Sequence, residues 1–204
     1  MVSKNAYRQF IIDLKRIPKK SEEAFVNDRK KLIEELIKAD EEIETMQLSG
    51  IRQKVWELLV KEKQFKPEEI EIDPEFRVTL SDCEITVGID FVVNLPSASF
   101  MIIQCRSTAI ESWERYVTSL ARVIKDYQIP YAVVTDGENA RIIDVHTGRL
   151  IGESLSELFN RQEALNKMKD FKKIPYPVNR LEREKRIVYA FESIKCPTVK
   201  DSKE

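Results

Sequence analysis

EITVGIDFVVNLPSASFMIIQCR, residues 84–106, decides how this chain is read. Its first half, EITVGIDFVVN, is apolar and β-branched, as a buried strand requires. Leu95-Pro96-Ser97 breaks the run, because proline has no N–H for a ladder and favours a turn. FMIIQC at 100–105 is a second short apolar run, which suggests another buried strand. Strands over 84–94 and 100–106 make a hairpin or an adjacent pair. Asp90 lies inside the first run, where a carboxylate needs a cation or a basic side chain beside it. Gln104 and Arg106 share parity on the second strand and so project to one face.

Downstream, Trp113, Val117, Leu120 and Ile124 recur every three to four residues, which predicts a helix over 110–127, stopped by Pro130. YAVVT (131–135) and ARIIDV (140–145) read as strands around the turn Asp136-Gly137-Glu138-Asn139, and His146-Thr147-Gly148 is a further turn. Upstream, 70–80 alternates in part and reads as extended. IRQKVWELLVKEK (51–63) carries Ile51, Val55, Leu58 and Leu59 on one helical stripe, and Pro67 prevents its continuation. Ser49-Gly50 is expected to separate that helix from another over 27–46, whose Leu32, Ile33, Leu36, Ile37 and Ile43 form an apolar stripe opposite a charged face. That stripe is expected to pack on the domain or on a second copy. From Leu155 the chain reads as helical and charged. FKKIPYPVN (171–179) interrupts it, a final helix spans 181–194, and residues 197–204 are a frayed tail. Helix, strands, helix, strand and strand make an α/β arrangement with a mixed sheet and a crossover helix.

Composition narrows the function classes. Hydrophobic residues at 42% and charged residues at 34% describe an ordinary globular chain. No apolar run reaches the length of a membrane span, and MVSKNAYRQF lacks the apolar core of a secretory signal, so a cytoplasmic protein is expected. Cys83, Cys105 and Cys196 are scattered, which argues against a disulfide framework or a zinc cluster. The single histidine, His146, cannot build a histidine-rich metal site. Residues 50–159 hold twelve basic and eighteen acidic side chains, a net −6, while 160–204 hold twelve and seven, a net +5. The core should therefore bind polyanions poorly by itself, with the C-terminal segment able to help. Phosphate-loop, nucleophile-elbow, dinucleotide and zinc-protease motifs are absent.

IRQKVWELLV followed by an acidic strand, then VGIDFVVN, IIQCRS and YAVVTDGENARIIDVHTGRLIG, resembles the PD-(D/E)XK nuclease core over roughly residues 50–152. The likeness is to the N-terminal nuclease domain of type I restriction enzyme R subunits and its stand-alone relatives. It implies a restriction-endonuclease-like α/β core with a central mixed β-sheet flanked by helices, plus N- and C-terminal helical extensions. The expected divisions are 1–49, 50–159 and 160–204. The resemblance implies metal-dependent DNA phosphodiester hydrolysis with Mg²⁺ or Mn²⁺, in which the cation polarises a phosphate oxygen and orients the attacking water. Hard cations take oxygen ligands, so Asp90, Gln104 and the Cys105 carbonyl are the implied metal set. Arg106 would hold phosphate, and Glu57 would assist from the first helix. DNA and restriction-complex subunits, or a second copy, are the implied partners, with no membrane.

This sequence departs from the pattern of its relatives. Gln104 stands where a glutamate is usual and so lacks its charge. Arg106 replaces a lysine and cannot act as a base, although it can clamp a phosphate with two hydrogen bonds. Ser119 and Val123 occupy the places of a Gln-x-x-x-Tyr pair. The alternative is a catalytically inactive module of the same fold, used in DNA binding or protein assembly. In that reading Asp90 pairs with Arg106, Gln104 and Arg106 line a solvated sheet edge, and Glu57 pairs with Lys61. Trp113 and Tyr116 read as core and rim residues.

Overall fold

The computed structural model describes residues 22–81 and 83–195, so Asp82, Cys196, the N-terminal decapeptide and the 197–204 tail lie outside the described residues. The chain divides into two compact units, Met1–Thr45 and Met46–Glu204. No described helix is long and apolar enough to cross a membrane.

The first described element is a helix, α1 (Glu22–Glu57), which ends in a π-turn over Leu58–Glu62. It runs straight through Ser49-Gly50, where the sequence suggested a break. Glycine in a helix interior costs about 1 kcal/mol, too little to stop a helix flanked by strong helix formers. Leu32, Ile33, Leu36, Ile37 and Ile43 are exposed in the first unit. In the second unit, Val55 and Leu59 are fully buried.

Extended chain follows as β1 (Ile70–Ile72), β2 (Glu75–Thr79), β3 (Glu84–Gly88), β4 (Phe91–Leu95) and β5 (Ala98–Cys105). Two runs read as single strands are thus each divided. The first breaks at Asp73-Pro74, where Asp73 has φ 53°, a left-handed backbone, and the proline removes a ladder donor. The second breaks at Ile89-Asp90. β2 and β3 pair with each other as a separate hairpin. A 3₁₀ turn (Ile110–Trp113) leads into α2 (Glu114–Val123), shorter than the expected 110–127. The Ala121 carbonyl, which a longer helix would use, accepts instead from the Ile129 N–H at 2.9 Å. Then come β6 (Tyr131–Thr135), β7 (Asn139–Asp144) and β8 (Arg149–Ser154). The helical tail consists of α3 (Arg161–Met168), started by an Asn160–Glu163 capping box, and α4 (Val178–Lys195).

Among the described residues, the main sheet has the order β1-β4-β5-β6-β7-β8. Only the β5–β6 pair is parallel, and α2 is the crossover between them. The sheet is therefore mixed and helix-flanked, as expected. Strand alternation divides the core in two. Met101, Ile103 and Cys105 face the Val55, Leu59 and Phe65 layer. Ile102 and Val92 face Tyr116, Val117 and Leu120 of α2, with Val188 of α4 in the same layer. Each such fully buried side chain stabilises the fold by about 1.5–3 kcal/mol.

Candidate active site

Register places Asp90. Phe91 of β4 pairs with Ile103 of β5, so the preceding residue lies beside Gln104 and Cys105 at the end of the strand. The bend between β3 and β4 is held from below: the Ile89 N–H donates to the Pro74 carbonyl at 3.1 Å, and the Asp73 N–H to the Asp90 carbonyl at 3.1 Å. The two strand breaks thus clasp each other and release Asp90 from the ladder. Its carboxylate then turns onto β5.

Three donors converge on that carboxylate. Asp90 Oδ2 accepts from Gln104 Nε2 at 2.7 Å and from the Cys105 N–H at 2.7 Å. Arg52 Nε of α1 forms an ion pair with Oδ1 at 3.3 Å. Arg52 also hydrogen-bonds Asp73, so it bridges the helix to both strand breaks. The Asp90 side chain is 13% exposed. Burial pushes its carboxyl above the usual range, against the opposing pull of the Cys105 N–H and the Arg52 and Arg106 charges. The cation that partners it is Arg52, not the Arg106 of the inactive reading.

Gln104 and Arg106 share a face, and each side chain is committed. Gln104 must point its amide nitrogen at Asp90, since the flipped amide would set oxygen against carboxylate oxygen. Its Oε1 is left buried with no partner. The Arg106 guanidinium lies 4.1 Å from the Trp113 ring centroid, a cation–π stack, and its Nη1 donates to the Cys105 carbonyl at 3.0 Å. Its Nε and Nη2 are buried without acceptors. The Cys105 thiol is fully buried and pushed up by that burial. Trp113 also packs on Tyr116 and Phe191.

Glu57 lies elsewhere on α1. It accepts from Lys61 Nζ at 3.0 Å and from Gln53 Nε2 at 3.2 Å, and Lys61 holds its carboxyl below the usual range. At about 100° per residue, five residues turn Glu57 well away from Arg52. Thus the structure brings together Asp90, Gln104, Cys105 and Arg106, and it places Arg52 and Asp73 with them. Reading the sequence had not singled out either residue. The signal was Asp90 itself, whose need for a cation could be met from the helix as well as from the sheet. Ser119 hydrogen-bonds Glu184 of α4 at 2.9 Å, and so belongs to a different cluster.

A divalent cation fits this donor set badly. Asp90 is the single acidic group of the implied ligands, and three donors already hold it. The Cys105 carbonyl is capped by Arg106, and Gln104 Oε1 faces away from Asp90. Two guanidiniums border the place where two more positive charges would have to sit. Among the described residues, no three His, Cys, Asp or Glu side chains are grouped to hold a metal.

A search against curated proteins returned no match, and a search against solved structures likewise returned none. The family description "Type I restriction enzyme R protein N terminus" matches residues 49–158, which takes in the end of α1, the sheet and α2. More than half of the chain is covered, and the likeness drawn from VGID and IIQCR is to the same family. The chain belongs to the type I restriction enzyme R protein N-terminal family.

Proposed function

We propose that this chain is a restriction-endonuclease-like module that acts by binding and does not cut DNA. The observation that carries this reading is the saturation of Asp90 by Arg52, Gln104 and the Cys105 N–H. A carboxylate so held cannot also ligate a cation without losing hydrogen bonds that offset its burial. The changes at 104 and 106 are mutually consistent: the amide supplies a donor, and the arginine caps the carbonyl. Family membership supports DNA or other subunits of a restriction complex as partners. Assembly has one further observation behind it, the exposed apolar stripe Leu32–Ile43 of α1.

The test is plasmid and single-stranded DNA incubated with Mg²⁺ and with Mn²⁺, alongside Asp90→Ala. The intact chain should leave both substrates uncut. Metal-dependent cutting that Asp90→Ala abolishes would overturn the reading and restore the hydrolytic one. The variant Gln104→Glu with Arg106→Lys then asks whether those two side chains alone silence the site.

A further inference from the structure

At the far end of the sheet from Asp90, α2, α4 and the β7–β8 turn enclose a cleft of about 720 Å³. Cys105 pairs with Thr135 at one end of β6, whereas Tyr131 at the other end pairs with Asp144, just before His146. Four arginines border the cleft: Arg115 and Arg122 from α2, and Arg180 and Arg183 from α4. One carboxylate, Glu184, opposes them. It is 2% exposed and accepts from Arg115 Nη2 at 2.6 Å, Arg122 Nη1 at 3.4 Å, Ser119 Oγ at 2.9 Å and Tyr176 Oη at 3.1 Å.

That carboxylate is used up in holding the wall. Arg122 is further fixed by a hydrogen bond from Nη2 to the Val145 carbonyl at 2.8 Å and by the Tyr176 ring 5.0 Å beneath it, yet its buried Nε has no acceptor. Among the described residues, no hydrogen bond or ion pair engages the side chains of Arg180 or Arg183. They stand three apart in the first turns of α4, hence on one face. A structural pair would need one arginine for one carboxylate, and this cleft has three more guanidiniums than that. We propose that the arginine cleft binds a small phosphate-bearing ligand, with Arg180 and Arg183 gripping phosphate oxygens and Arg115 and Arg122 supplying a preorganised positive wall. Guanidinium forks match phosphate geometry, and fixing them beforehand lowers the entropy lost on binding. A cleft of this size suits a pyrophosphate or a nucleotide, not a duplex. The surrounding acidic core also opposes a long polyanion.

The experiment is calorimetric titration of the full chain at low salt with pyrophosphate, AMP, ATP and a short DNA duplex. Pyrophosphate or a nucleotide should bind once per chain, and Arg180→Ala with Arg183→Ala should weaken that binding by about tenfold or more. Arg77→Ala, on β2 and outside the cleft lining, should leave it unchanged. Equal binding of pyrophosphate and nucleotides assigns recognition to the phosphates alone; tighter nucleotide binding adds the nucleoside. Silence of all small phosphates at millimolar concentration overturns the proposal. So does binding that the double variant does not weaken, or binding of the duplex alone. Both arginines are exposed, so the variant should keep its fold, which thermal unfolding checks. DNA cutting plays no part in this readout, so the non-cleaving reading stands or falls separately.

Discussion

Asp90 is a buried charge whose cost is offset by one ion pair and two hydrogen bonds. Removing one partner of such a group is expensive, because the other remains desolvated. Arg52→Ala should therefore destabilise the chain by about 3 kcal/mol, read as a lower urea midpoint. Adding Asp90→Asn to it should recover part of that loss, since the stranded charge goes too. A cost of Arg52→Ala no larger than an ordinary surface change would refute this account. The need of Asp90 for a cation was legible in the sequence from its apolar surroundings, and its neighbourhood to Gln104 and Arg106 followed from the strand pair. Which arginine answered was not legible. Arg52 and Arg106 are equally cationic, and the choice depends on how far a helix turn and a strand end reach in space.

At the level of elements, the sequence showed apolar runs well and their interruptions poorly. Five of the six strands of the main sheet fall largely within runs read as extended, whereas β8 (Arg149–Ser154) was not read as a strand. The breaks at Asp73-Pro74 and Ile89-Asp90 were missed because the apolar positions of each run continue on both sides of the break, and the clasp between the two bends has no local signature. The opposite error occurred at Gly50, where an expected breaker was overridden by its flanks. A Cβ built on Gly50 meets nothing within 4 Å. Gly50→Ala should therefore stabilise the helix by about 0.5–1 kcal/mol, measured by thermal or urea unfolding. Unchanged or lowered stability would mean that the α1 geometry at this point is not that of a regular helix. Shortening of the crossover helix depended on Ile129 returning to the Ala121 carbonyl, a contact without a local signature.

For the molecule as a whole, the cleft and the candidate site respond to pH in opposite directions. Burial pushes Glu184 up, but hydrogen bonds from Arg115 and Ser119 and the charges of Arg115 and Arg122 outweigh it and hold the carboxyl below its usual range. The folded protein thus binds this proton less readily than the unfolded chain does. Stability from Glu184 is complete above the ordinary carboxylate range and is lost as pH falls through the depressed value. Asp90, pushed up, favours the fold below the ordinary range and loses that contribution as pH rises through its raised value. Glu184→Gln should flatten the acid limb of a stability–pH profile, and α4 should dissociate from α2 less steeply with acid. An unchanged acid limb would show that other carboxylates govern it. The arginine excess at this end of the sheet was visible in the sequence only as a basic C-terminal segment. Its convergence on Glu184 needed α4 to fold back against α2.

The amide of Gln104 has a consequence for how the site tolerates substitution. A glutamate at 104 would replace a hydrogen-bond donor 2.7 Å from Asp90 with a second carboxylate. Two like charges at that range cannot both ionise freely, so Gln104→Glu taken alone should lose stability. A lysine at 106 would give up the guanidinium stack on Trp113 and uncap the Cys105 carbonyl. Each substitution is therefore unfavourable when made alone. Gln104 and Arg106 are interlocked through Asp90 and Cys105, and their neighbourhood is tolerant of change only when the two are altered in concert.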